Sequence, residues 1–248
     1  MTIWSRRPAR VSRHPHPRSG VSPSIPLVSP IPLLPPLLRQ RLWALIVLPW
    51  LLVLGVLSWE LAGRRGPSYV DAVVDPRLVH RFGRQWHLFE IVIQLGNPGN
   101  VALASVALAG LCMVFRVHRA ALLSLSGPVS AAALTQWVLK PLIDRRLGGG
   151  FAFPSGHATG ACAVAAVLVL LLLPGAALRR RLPGFVRILL WYVAAVFSAG
   201  VGLGVVVLRY HYATDVVGGV AVAVVVIGVL AWALDRHADQ YRPAPDDR

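Results

Sequence analysis

The chain predicts an all-α fold, a polytopic bundle of six transmembrane helices. Three observations lead to it. Of 248 residues, 56% are hydrophobic and only 14% charged, too apolar for an ordinary soluble domain. The apolar residues collect in runs near the roughly 20 residues that a helix needs to cross the hydrocarbon core. The arginines fall between those runs.

Taken in chain order, the first 38 residues hold nine of the twenty prolines together with Arg6, Arg7, Arg10, Arg13 and Arg18. Such a segment cannot build a helix or a core, and 1–38 is expected to be a disordered cytosolic tail, resting on anionic lipid or simply solvated. Its basic stretch is too long for a signal peptide. A membrane domain is expected over 39–234, with its core at about 90–234 and spans at 42–59, 98–115, 121–139, 157–174, 186–208 and 216–234. Gly96, Pro98, Gly99 and Asn100 blur the start of the second span, with 86–95 as an interfacial segment leading into it, so five spans are the alternative to six. Residues 235–248 form a short polar tail with Pro243 and Pro245.

The net charge of +15 rests on twenty-four arginines and one lysine. Between apolar spans these charges obey the positive-inside rule and attract anionic headgroups; a nucleic-acid partner would need them on a soluble face with aromatic platforms. With the N-terminus inside, sixteen basic residues lie inside and nine outside, so both termini are expected in the cytoplasm. Scarce lysine beside abundant Ala, Val, Gly and Arg suggests a GC-rich bacterial genome, hence a plasma membrane. Cys112 and Cys162 fall inside spans, and the histidines show no zinc spacing, so neither a metal nor a cofactor is expected.

The chemistry concentrates in two segments. Pro154-Ser155-Gly156-His157 follows a glycine-rich stretch, Gly148 to Gly150, and opens an apolar run. A helix start with small residues presents free N–H groups and a positive dipole end, which suits phosphate. Lys140, Arg145 and Arg146 precede it, and Ser155 and Gly156 offer further donors. The second segment is Arg209-Tyr210-His211 with Asp215, four residues on, placed to orient the imidazole. Two spans separate the 140–157 and 209–215 connections, so both lie on one membrane face, expected to be extracytoplasmic. Each residue alone has a bland reading, Ser155 as a helix cap or Lys140 as a snorkelling anchor; together they form a phosphoryl-transfer set.

Over roughly 90–235 the chain resembles the type 2 phosphatidic acid phosphatases, membrane relatives of vanadium haloperoxidases and bacterial acid phosphatases. The family pattern is a Lys with Arg-Pro seven positions on, PSGH, and Ser-Arg followed after five residues by His and, after three more, Asp. Lys140, residues 154–157 and the His211/Asp215 pair match. Leu147-Gly148 and Gly204-Val205 stand where Arg-Pro and Ser-Arg are expected, so Arg145 or Arg146 and Arg209 are candidate replacements. The resemblance implies His211 as nucleophile through a phosphohistidine, Asp215 as its orienter and His157 as acid, acting on a polyprenyl-type or phosphatidic-acid-type lipid phosphate or diphosphate without metal. Alternatives are a lipid phosphotransferase, a silent lipid-phosphate binder, or an intramembrane serine protease using Ser155 and His211.

Overall fold

The computed structural model describes residues 32–173, 176, 179 and 182–240. Helix α1 (Pro36–Leu42) starts on Pro36, whose missing N–H costs nothing at a first helical position, and runs through a π-helical stretch, Trp43–Val47, into α2 (Leu48–Leu61). Next comes α3 (Tyr69–Phe82), opened by a capping box in which Ser68 and Asp71 satisfy each other's backbone N–H groups. With Asp71, Asp75, Arg77, His80 and Arg81 in 14 residues, it is too polar for the hydrocarbon and lies outside the apolar spans. Then come α4 (Trp86–Leu95) and α5 (Pro98–Val114), separated by a break at which the axis bends by 54°. Helix α6 (His118–Ala133) continues through a second π-helical stretch, Leu134–Leu139, into α7 (Lys140–Ile143). A hairpin follows, β1 (Arg146–Leu147) against β2 (Gly150–Phe151), and then α8 (Gly156–Leu171), α9 (Gly184–Val207) and α10 (Ala213–Gln240).

Among the described residues, Pro36–Leu61, His118–Ile143, Gly184–Val207 and Ala213–Gln240 are long and apolar enough to cross a membrane, and the bent 69–114 pair makes up to a fifth. The described parts of all six expected apolar runs are helical, and by length and composition four or five of them qualify as spans. The run expected at 157–174 is α8, only 16 residues long. Its start is packed in the core, where Ser155 and Thr159 are buried.

Helix α10 is the central element and packs against α8, α6 and α2. Ile227, Val167 and Leu123 meet at Gly127, where an added Cβ would lie 2.4 Å from the Ile227 methyl. The core also takes in Leu33 and Leu34, both 1% exposed. Their backbone N–H groups donate to the two carboxylate oxygens of buried Asp235, each at 2.9 Å. Leu33, Leu34 and Asp235 are therefore part of the core, and α10 runs on to Gln240, so packed and helical residues extend past the expected boundaries at 38 and 235. Burying a carboxylate requires donors, and the incoming chain supplies them. The rest of the expected N-terminal tail, 1–31, the loop arginines Arg180 and Arg181, and residues 241–248 lie outside the described residues.

Candidate active site

The glycine-rich stretch is a two-residue hairpin turn: Leu147 pairs with Gly150, and Gly148 and Gly149 take φ of +55° and +85°. Both central residues need positive φ in such a turn, which explains the glycines there. The hairpin delivers the chain to Ser155. That side chain caps α8 by accepting from the Ala158 N–H at 3.4 Å, and its own N–H donates to the Asp215 carbonyl at 3.0 Å. Ser155 is fully buried. Its hydroxyl, expected at the phosphate, faces the helix start, and the side chain borders neither of the two cavities that meet at His211.

On the other side, α9 ends at Val207 and the chain reverses through Arg209, whose φ of +62° is the left-handed conformation that closes many helices. Residues 209–211 are therefore irregular, the condition under which Arg209 and His211 can face one space. His211 precedes α10. Its Nδ1 lies 3.6 Å from Asp215 Oδ2, too long for a hydrogen bond, and has no other partner. Such bonds are often loose before substrate arrives. Asp215 Oδ2 meanwhile accepts from the Tyr212 N–H at 2.9 Å.

Arg145 is not where the expectation put it. It is fully buried, with Nη1 2.6 Å from Asp215 Oδ1 and 2.7 Å from Thr214 Oγ1, and Nη2 2.6 Å from Asp71 Oδ2. The guanidinium also lies 4.4 Å over the Tyr212 ring. The two carboxylates hold Nη1 and Nη2, and Nε, the donor without a partner, is buried with the rest of the side chain. Arg146 points away as well: it pairs with Asp144 at 2.6 Å, stacks on Phe151, and borders a separate cavity of about 240 Å³ with Arg65 and Leu147. Backbone direction decides this, since consecutive residues at the base of a strand face opposite ways.

Two cavities meet at His211. One, of about 460 Å³, is lined by Lys140, Gly156, His157 and His211 together with Val129, Ala132, Trp137 and Pro98. The His157 and His211 ring centroids are 6.5 Å apart across it. The other, of about 570 Å³, lies under α3 and is lined by Asp71, Asp75, His80, Leu147, Arg209, His211 and Tyr212. Among the expected site residues the structure thus brings together Lys140, Gly156, His157 and His211, sets Arg209 on the far side of His211, and holds Asp215 behind it.

Asp75 accepts from the Ala213 N–H at 3.2 Å. Burial pushes its carboxyl up to about 6, with the charges of Asp71 and Asp215 adding to the rise. Burial also raises the Tyr212 phenol, against the pull of the Arg145 guanidinium. Sequence reading missed Asp71, Asp75, Thr214 and Asn97, whose Oδ1 lies 2.8 Å from His157 Nε2. A signal existed for the first: Ser68-x-x-Asp71 is a capping-box pattern, and Asp75 lies one turn on.

No curated protein sequence matches this chain. Among solved structures it is similar to one described as the crystal structure of the first transmembrane PAP2 type phosphatidylglycerolphosphate phosphatase from Bacillus subtilis, with a TM-score of 0.59 and 20% identity, covering 79% of this chain and 98% of that one. At that identity the likeness bears on the fold, a transmembrane PAP2 architecture. A family model described as the PAP2 superfamily matches residues 99–239, more than half of the sequence and all of the His157/His211 site. The chain belongs to the PAP2 superfamily of phosphatases.

Proposed function

We propose that the protein hydrolyses a lipid phosphomonoester or diphosphate through a phosphohistidine on His211. The observation that carries this is the facing pair His157 and His211, 6.5 Å apart across a cavity that also holds Lys140 and is otherwise walled by apolar side chains. An amphiphile can lie along those walls while its phosphate reaches the histidines.

His211 turns Nδ1 toward Asp215, which leaves Nε2 to attack phosphorus. As the N–P bond forms and the P–O ester bond breaks, protonated His157 gives its proton to the leaving oxygen. A water then loses a proton to His157 and attacks phosphorus, the P–N bond breaks, and phosphate leaves. Lys140 and the free N–H groups at the start of α8 supply the charge that the phosphoryl oxygens need on the His157 side of His211, and Arg209 adds its charge from the cavity on the other side. Arg209 here stands in for the arginine expected at Val205, a fully buried position. The site is read as extracytoplasmic from the arginine distribution, with polyprenyl-type diphosphates and phosphatidic acid as the leading substrates.

The test is phosphate release by purified protein in detergent, with EDTA and without, across a panel of lipid phosphates. Release lost in His211→Ala together with a ³²P-labelled, acid-labile, base-stable phosphoenzyme in the wild type supports the reading. Release that survives His211→Ala sinks it. Transfer to an added alcohol in place of water would make the protein a phosphotransferase.

A further inference from the structure

Residues 96–100, Gly-Asn-Pro-Gly-Asn, read from sequence only as a blurred helix boundary, and Asn97 lies outside the stretch matched by the family model. In the structure this break is pressed against the acid. An added Cβ at Gly96 would lie 2.8 Å from Val201 and 3.5 Å from His157 Cβ, so only glycine lets the break sit there. The break is internally braced, with Asn100 Nδ2 donating to the Gln94 carbonyl at 2.7 Å and the Val101 N–H to the Asn97 carbonyl at 2.9 Å.

The Asn97 carboxamide bridges two neighbours. Nδ2 donates to Gln94 Oε1, which turns Oδ1 toward His157 Nε2 at 2.8 Å. A carboxamide oxygen only accepts, so Nε2 must carry hydrogen. The other polar groups lining this cavity are Lys140, which only donates, Thr135, Gln136 and His211, whose Nδ1 is turned toward Asp215 at 3.6 Å.

We propose that Asn97 is a further positioning residue: its Oδ1 holds the Nε2–H of His157, fixes the ring, and leaves Nδ1 as the nitrogen that delivers the proton to the leaving oxygen. This rests on His157 being the acid of the proposed hydrolysis. In the step, imidazolium Nδ1–H gives its proton to the oxygen whose bond to phosphorus breaks, and His157 remains as the neutral Nε2–H tautomer on Asn97. Proton donation matters most when the leaving alcohol is a poor leaving group.

The full chain in detergent would be assayed in a single turnover for release of the leaving group, the step in which His157 is the acid, from a long-chain alkyl phosphate, which needs an acid, and from p-nitrophenyl phosphate, which needs none. Asn97→Leu is expected to slow the alkyl ester by about 10²-fold while p-nitrophenyl phosphate stays within about threefold. Asn97→Asp, which keeps an acceptor oxygen, is expected to recover most of the alkyl-ester rate. Both rates come from one preparation, so partial misfolding cancels in their ratio. Equal losses on both substrates, or none on either, would overturn the proposal. Selective ¹⁵N-histidine NMR of the substrate-free protein provides a readout without turnover: His157 should be the Nε2–H tautomer in the wild type and lose that preference in Asn97→Leu. A wild-type Nδ1–H tautomer would overturn the role of Asn97 whatever the activity, whereas an inert wild type with the Nε2–H tautomer would sink the hydrolase reading and leave the contact standing.

Discussion

Arg145 Nη1 and Asp215 Oδ1 meet at 2.6 Å with both side chains fully buried. The same guanidinium reaches Asp71 on α3, so one arginine ties the segment before the hairpin, the polar helix over the site and the start of α10 into one body. A buried charge of this kind is neutralised locally and is costly to leave half-paired. Asp215 can present Oδ2 toward His211 because its other oxygen is held.

Arg145→Met should therefore destabilise the fold by about 3–5 kcal/mol, since it leaves two buried carboxylates without their cation. Thermal unfolding in detergent measures this. Lys140→Met provides the contrast: its side chain borders the cavity, and the expected outcome is phosphate release reduced by about a hundredfold with the melting temperature little changed.

Gly219 touches the loop that presents His157. An added Cβ would lie 2.7 Å from the Ser155 carbonyl oxygen and 3.0 Å from the Thr159 nitrogen, both backbone atoms that cannot step aside. Gly219→Ala is expected to cost about 1–3 kcal/mol and to reduce activity by displacing α8. Gly156 has nothing within 4 Å of its virtual Cβ, so Gly156→Ala should leave the unfolding temperature nearly unchanged.

Arg209 occupies the left-handed region at φ +62° and also borders the cavity beside His211. Arg209→Gly should relieve the backbone and stabilise the protein by about 0.5–1 kcal/mol while slowing phosphate release by ten- to a hundredfold. If Arg209→Ala and Arg209→Gly both keep full activity, the arginine has no part in the reaction.

Asp75 contributes a pH dependence whose sign follows from its raised carboxyl, about 6 against an ordinary 3.8. The folded state binds the proton more tightly than the unfolded chain, so stability falls as pH rises from about 4 through 6. Asp75→Asn should match the wild type below pH ~4 and be the more stable protein above pH ~6, with the difference constant thereafter. Paired melting curves from pH 4 to 8 measure it. The same substitution removes a negative charge from the wall beside Arg209 and is expected to lower KM for a lipid phosphate at pH 7.

Arg146→Ala should stay within about 0.5 kcal/mol of the wild type and keep its activity, because the partner it loses, Asp144, is a partly exposed neighbour two residues away.

Much of the fold was legible because long apolar runs in a bilayer must become helices. The capping site at Ser155 and the positive φ values at Gly148 and Gly149 follow from the same local rules. Span length was less legible. The apolar run after Gly156 reads as 18 residues but forms a helix of 16, whose first turn packs on Asp215 and Gly219 of α10, contacts that no local pattern announces.

The sequence by itself determined a helical membrane protein and which two segments carry the histidines, because hydropathy and PSGH/HxxxD spacing are local properties. That the two segments meet in one site is seen in the structure, where the His157 and His211 ring centroids lie 6.5 Å apart. Which cations face the histidines was decided only by the tertiary structure. Adjacent arginines are equivalent in composition, but the hairpin turns Arg145 inward to Asp71 and Asp215 and Arg146 outward to Asp144. Lys140 and Arg209 are left beside His211, on opposite sides of it, and Asn97 arrives from a break 60 residues before His157. Those contacts join residues far apart in the chain, and their geometry depends on how the helices pack, which no local pattern encodes.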